Sequence, residues 1–187
     1  MKEYLKSFGI LTEGEIDSFE QLLVTKKIKK GEFFIQEGKI SQEVSFIASG
    51  FFRSYYYNSN EEEVTYCFTF SNSFITAYSS FLSQTATSEN IQALTDVELY
   101  SISRDKILQL EQSSTNWLKF FKLIAEQEYI NLEKRIFMLQ TESAEKRYED
   151  LLTNHPQLLQ LIPLHYLSSY LGITPRHLSR IRKLLQN

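Results

Sequence analysis

The chain changes texture at Arg104, and that single break limits what it can fold into. Before it, from about Lys26 to Ser103, β-branched and aromatic residues come in short runs broken at Gly31, Gly38, Gly50 and Asn58-Ser59-Asn60. Alternation is visible in Val64, Tyr66, Phe68 and Phe70, and again in Ile91, Ala93, Leu94, Val97 and Leu99. After Arg104 the apolar residues recur at three- and four-residue spacing instead. Short strands with turn signals every 7–12 residues or so predict a small antiparallel barrel or sandwich. Strands in one half and helices in the other predict an α+β fold.

Two helical regions flank the strands. Thr12-Glu13-Gly14-Glu15 has the residues of a capping box and starts a helix through about Leu23. On the other side, a short helix from Arg104 to about Gln112 leads into a long one, roughly Thr115 to Gln140. In the long helix Leu118, Phe121, Ala125, Tyr129, Leu132, Ile136 and Leu139 form an a/d seam over three heptads. A second apolar set, Trp117, Phe120, Ile124 and Phe137, lies beside it. Both sets can pack within one subunit. A helix of about 26 residues spans about 39 Å, however, longer than a small barrel covers. The expectation is therefore one face on the barrel and the seam on a second copy of the chain.

Thr141 or Ser143 begins the next helix, AEKRYEDLL, which ends near Asn154-His155-Pro156 and is followed by a turn of QLLQLIP. The last 25 residues then read as two helices around a tight turn. Pro163 suits a first helical position, and Leu164, Leu167, Tyr170 and Leu171 give that helix an apolar face. Gly172 sits where a helix needs a left-handed residue to stop. Thr174 can cap a second helix, with Pro175 at its first position. Leu178, Ile181 and Leu185 are expected to face inward, with Arg176, His177, Ser179, Arg180, Arg182 and Lys183 outward. An apolar helix, a glycine turn and a basic amphipathic helix predict a helix-turn-helix that presents its second helix to a DNA major groove.

Charge points the same way. From Thr153 to Asn187 there is no Asp or Glu, and Arg176, Arg180, Arg182 and Lys183 give +4. The other 152 residues hold all 23 acids against 16 bases, a net −7 within a chain of −3. An acidic protein with bare positive charge on one terminal helix is suited to a polyanion.

Several classes are excluded. No apolar run reaches 18 residues, so no membrane span or membrane partner is expected. The N-terminus lacks an apolar signal-peptide centre, and a cytoplasmic location is expected. Cys67 is the only cysteine and the three histidines all lie after residue 154, so neither an internal disulfide nor a metal site is expected. Cys67 reads as a half-buried strand residue. The glycines have no phosphate-loop spacing, no Ser/His/Asp or Cys/His constellation is present, and neither enzyme activity nor a cofactor is expected.

A β-barrel, a long dimerisation helix and a C-terminal helix-turn-helix, in that order, resemble the catabolite-activator (Crp/Fnr) family of bacterial transcription regulators. The resemblance covers nearly the whole chain. Its marks are Gly31 and Gly38, the segment SSFLSQTATSENIQALTDVELYSISRDKI (Ser79 to Ile107), and YLSSYLGITPRHLSRIRK (Tyr166 to Lys183). The last two look like regulators common in the Bacteroidetes branch. The resemblance implies a jelly-roll cyclic-nucleotide-binding-like barrel (1–112), a dimerisation helix (113–140) and a DNA-binding unit (141–187). With the sequence ending at Asn187, that unit is expected to lack a full wing. Double-stranded DNA, a second copy and RNA polymerase are the implied partners.

The family also implies a phosphate cassette of the form FGE…RSA, in which a glycine-glutamate pair serves the ribose and an arginine pairs with the cyclic phosphate. Aligned on Phe81 and Ile91-Gln92-Ala93, the Gly-Glu pair falls on Thr76-Ala77 and the Arg-Ser pair on Thr87-Ser88. There is no arginine from Ser54 to Ile102. A cyclic phosphate held out of water needs a charge-assisted, preferably bidentate donor; Thr87 and Ser88 are neutral, and Glu89 repels an anion. Cyclic AMP and cyclic GMP are therefore not expected to bind, and any effector is of another kind. Tyr66, Phe68, Phe70, Phe74, Tyr78 and Phe81 could line an aromatic pocket or pack as core.

By the same alignment the family's base-reading positions fall on Pro175, Arg176 and Arg180. Arg176 and Arg180 suit bidentate contacts to guanine. His177 and Ser179 suit base or backbone contacts, and Thr174, Arg182 and Lys183 suit phosphates. The expected function is a homodimeric sequence-specific regulator. The alternative is a dimeric signalling or scaffold protein whose basic helix binds a protein.

Overall fold

The computed structural model describes residues 1–154, 156 and 160–185. Two N-terminal helices, α1 (Lys2–Ser7) and α2 (Glu13–Leu22), precede the strands. Then come β1 (Val24–Ile28), β2 (Phe33–Ile35), β3 (Glu43–Ser49), β4 (Phe51–Tyr57), β5 (Glu63–Phe70) and β6 (Phe74–Ile75). A short helix α3 (Tyr78–Ser83) leads to β7 (Asn90–Ala93) and β8 (Val97–Ser103). The strands form two four-stranded sheets in jelly-roll order, β1-β8-β3-β6 and β2-β7-β4-β5, and every pairing is antiparallel.

Between the sheets Ile47, Phe52, Ile75, Ala77, Ile91, Ala93, Val97 and Leu99 pack into one cluster. Alternation puts these residues on inward faces, but it does not hold throughout β5. The β4–β5 register shifts between Ser54 and Tyr55, whose partners are Cys67 and Thr65, so Tyr66 is the extra residue of a bulge. Phe68 and Phe70 consequently turn toward the C-terminal helices, while Tyr66 stands beside Tyr56. The single face read from Val64, Tyr66, Phe68 and Phe70 is thereby split.

Helix α4 (Arg104–Ser113) leads to α5 (Thr115–Thr141), a helix of 27 residues. Trp117 and Phe120 at its start are 1 % exposed and pack with Leu5, Ile16 and Phe19 of the N-terminal helices. Phe121 joins them by stacking on Trp117. Further along, α5 leaves the barrel: Tyr129, Leu132, Ile136 and Leu139 are exposed, and so are Ile130 and Phe137. Phe137, beside the barrel-facing set in sequence, is exposed and takes no part in the N-terminal cluster.

The chain ends in α6 (Ala144–Asn154), α7 (Leu164–Leu171) and α8 (Pro175–Leu185). The Ser143 hydroxyl accepts the Lys146 amide (3.1 Å), which starts α6. His155 and residues 157–159 of the expected 157–163 turn lie outside the described residues. Pro163 is the N-cap of α7 (ψ 141°) rather than its first helical residue.

Candidate nucleic-acid interface and effector cassette

Helix α7 stops at Gly172, which is left-handed (φ 68°), and the amides of Gly172 and Ile173 return to the carbonyls of Ser169 and Ser168, each at 3.0 Å. Two residues on, the Thr174 hydroxyl accepts the His177 amide (3.2 Å) and starts α8 at Pro175. Leu178 and Ile181 of α8 are 0 % and 1 % exposed, packed on Leu167 and Leu171 of α7 and on Tyr148, Leu151 and Ile162. Leu185, expected inward, is exposed, because it lies a full turn past Ile181 at the helix end.

On the opposite side Arg176, His177, Arg180 and Lys183 are exposed, and Thr174 stands exposed before them. Arg176, Arg180 and Lys183 follow i, i+4, i+7 spacing and so form one basic stripe. The other candidates are engaged. Ser179 is half-buried and donates to Pro175 O (3.0 Å). His177 Nε2 lies 3.6 Å from a Glu145 carboxylate oxygen. Arg182 is half-buried over Tyr148 (5.7 Å), and its Nε is buried without a hydrogen-bond partner among the described residues.

Sequence reasoning passed over Arg147. Its Nε donates to Leu171 O (3.2 Å) and its Nη1 to Glu142 O (2.6 Å) and Leu139 O (3.4 Å), so one guanidinium satisfies carbonyls at the ends of both α7 and α5. A lone arginine in an acidic amphipathic helix carries no sequence signal of that role.

The cassette positions are used internally. Thr76 Oγ1 donates to Glu43 O (2.9 Å) and lies 3.0 Å from Ser41 Oγ. Ala77 is the N-cap of α3 and wholly buried in the inter-sheet cluster. Thr87 is 8 % exposed; its backbone pairs with Gly38 and Lys39, and its hydroxyl accepts the Glu89 amide (3.1 Å). Ser88 is exposed. Beside them Tyr66 Oη donates to the Glu89 carboxylate, and burial pushes the pKa of both groups up. The aromatic rings do not converge: Phe68 packs on Tyr170, Phe70 on Phe51, and Phe74 on Tyr4, Phe46 and Phe120. Tyr78 is exposed, and Phe81 joins the N-terminal cluster. Cys67 is half-exposed, its Sγ 3.8 Å from Thr69 Oγ1.

The jelly roll, with a short helix inserted between β6 and β7 and helices after β8, coincides with a family match: residues 25–114 match the sequence model of the Cyclic nucleotide-binding domain family. Over most of its length the chain has the fold of Crp/Fnr-family transcription regulators. FixK2 from Bradyrhizobium japonicum is 16 % identical, with 88 % of this chain and 84 % of that one covered at a TM-score of 0.78. A putative transcriptional regulator of the crp/fnr family from Eubacterium rectale is also 16 % identical, covering 98 % and 88 % at a TM-score of 0.76. The catabolite activator protein of Thermus thermophilus is 20 % identical, covering 94 % and 84 % at a TM-score of 0.61. No curated protein sequence matches the chain. Among the described residues no group of His, Cys, Asp or Glu could hold a metal, and no helix is long and apolar enough to cross a membrane.

Proposed function

We propose that this chain is a homodimeric, sequence-specific DNA-binding regulator of transcription acting in the cytoplasm. It comprises a sensor barrel (1–112), a dimerisation helix (113–140) and a helix-turn-helix unit (141–187). The observation that carries the reading is the basic stripe Arg176–Arg180–Lys183, exposed on a helix whose other face is anchored by Leu178 and Ile181. Arg176 and Arg180 read guanine edges, His177 and Ser179 contact bases or backbone, and Thr174, Lys183 and Arg182 contact phosphates. The exposed row Leu118, Tyr129, Leu132, Ile136 and Leu139 supports pairing of two α5 helices, with Phe121 and Ala125 completing the seam at its barrel end. Two reading helices then enter major grooves about 34 Å apart, and RNA polymerase is the partner that converts occupancy into regulation.

The effector, where one acts, is not a cyclic nucleotide. No guanidinium stands at Thr87 or Ser88, the hydroxyls of Thr76 and Thr87 are committed within the barrel, and apolar side chains occupy the space between the sheets. Selection from random duplex DNA across a salt series tests the function. A two-fold-symmetric motif weakened by Arg180→Ala is the expected result. Salt-sensitive binding without a motif overturns sequence-specific reading and favours a protein partner for α8.

A further inference from the structure

The seam between the second sheet and α7 holds a group that neither the stripe nor the cassette explains. Arg53 lies on β4 and is 0 % exposed. Its guanidinium carbon is 3.9 Å from the Tyr55 ring centroid and 3.5 Å from that of Tyr166, which belongs to α7. A planar cation is thus stacked between a barrel ring and a ring of the helix that carries α8. Nη2 donates to the Glu63 carboxylate (2.6 Å) and, at 3.5 Å, to Gln92 Oε1. Nε and Nη1 are buried with no hydrogen-bond partner among the described residues, as are Thr65 Oγ1 and Asn90 Nδ2. Thr65 and Asn90 are the cross-strand partners of Tyr55, so these atoms share one face of the sheet.

Three residues along α7, the Ser169 hydroxyl accepts the Thr65 amide (2.9 Å) and donates to Glu63 O (3.2 Å), closing the outer edge of β5. Asn90 and Gln92 lie on β7, the strand that leaves the cassette positions Thr87 and Ser88. Arg53 therefore touches both the helix that presents α8 and the strand that begins at the cassette.

We propose that Arg53 is a positioning residue for DNA reading: stacked on Tyr166, it fixes the orientation of α7 and α8 on the barrel, and β7 links that clasp to the cassette within one chain. The proposal rests on the DNA-binding reading above. The clasp orients and does not mask, because Arg176, Arg180 and Lys183 stay exposed with α7 docked. It is also releasable. A buried guanidinium with two nitrogens unpartnered among the described residues is held against a desolvation cost that an apolar contact of the same shape would not carry.

The test compares the full-length wild type with Tyr166→Leu and Arg53→Gln by hydrogen exchange and by binding to the selected operator. Exchange at the Thr65 amide and through α7 is expected to quicken at least tenfold in both variants, while the Ser45 and Ser101 amides of the first sheet keep wild-type rates. Operator affinity is expected to fall at least tenfold with the salt slope unchanged, because no phosphate contact is removed. Wild-type exchange in both variants overturns the proposal, and so does unchanged or increased affinity or a reduced salt slope. Should Arg53→Gln also quicken the first sheet, Arg53 is part of the barrel's folding core and Tyr166→Leu, on the helix side, decides. A wild type that selects no operator sinks the DNA reading alone, and the exchange rates still decide the clasp.

Discussion

Tyr66 donates its phenolic hydrogen to Glu89, two residues from the position where the family's cassette pattern places an arginine. Burial raises the Glu89 pKa, and the Tyr66 hydrogen bond works against it; the phenol in turn is pushed up by its own burial and by the carboxylate. If the cassette lies where the sequence resemblance implies, it holds a carboxylate where a cyclic phosphate needs a cation. Cyclic AMP and cyclic GMP at 1 mM or so are expected to leave the melting temperature unchanged. A saturable rise would contradict this, since a ligand at 100 times its Kd stabilises by about 2.7 kcal/mol.

The basic residues of α8 should separate by mechanism. Arg180→Ala is expected to weaken operator binding by about 1–3 kcal/mol and relax specificity at one base position, and Lys183→Ala to lower the salt slope by about 1. Arg182 suits phosphate by its place in the sequence, yet it lies half-buried over Tyr148. Titrations of the three variants across 50–300 mM salt or so check the assignments; an unchanged slope in Arg182→Ala with a lowered melting temperature removes Arg182 from the phosphate set.

The exposed row on α5 gives a test of assembly. Leu132 is 55 % exposed in the single chain, so a charge there leaves the subunit's own packing intact. Leu132→Glu is expected to yield folded monomers by light scattering, with unchanged circular dichroism and operator binding reduced at least tenfold. A dimer that persists in this variant would place the interface elsewhere.

Glu15 couples distant parts of the chain. Its carboxylate accepts from the Thr12 amide (2.8 Å) in the capping box of α2, and also from Ser114 Oγ (2.5 Å) and Asn116 Nδ2 (3.1 Å) at the start of α5. Burial alone would raise its pKa, but the hydrogen bonds from Ser114, Thr12 and Asn116 outweigh it and lower the value from 4.5 to about 2. A folded-state pKa below the unfolded one stabilises above about pH 4.5 and is lost as pH falls toward about 2. Glu15→Gln should cost on the order of 1–2 kcal/mol at pH 7, with the difference from wild type shrinking below pH 4.5 or so. Urea unfolding at several pH values checks this, and a pH-independent difference would exclude the charge as its origin.

Gly50 is required by both conformation and space. Its φ is +84°, and a Cβ there would lie 2.5 Å from Asp96 O and 2.7 Å from Thr95 Oγ1. Gly50→Ala is expected to destabilise by about 2 kcal/mol or more, read by thermal unfolding; a loss below about 1 kcal/mol would mean that the Thr95–Asp96 turn gives way.

What the sequence determined by itself was local. The Thr12–Glu15 box, the Gly172 stop and the Thr174–Pro175 start depend on contacts between residues three to five apart, so residue order suffices to specify them. The absence of arginine from Ser54 to Ile102 was legible for the same reason, as a property of one contiguous segment. Only the tertiary structure decided what joins distant segments. The bulge at Tyr66 turned Phe68 and Phe70 away from the face that alternation gave them. Arg53, one residue before the arginine-free segment, met Tyr166 across more than a hundred positions, and Arg147 met the ends of two helices. A buried cation finds its partners wherever the packed chain leaves acceptors and ring faces unsolvated, and that depends on docking geometry, which no local pattern of residues encodes.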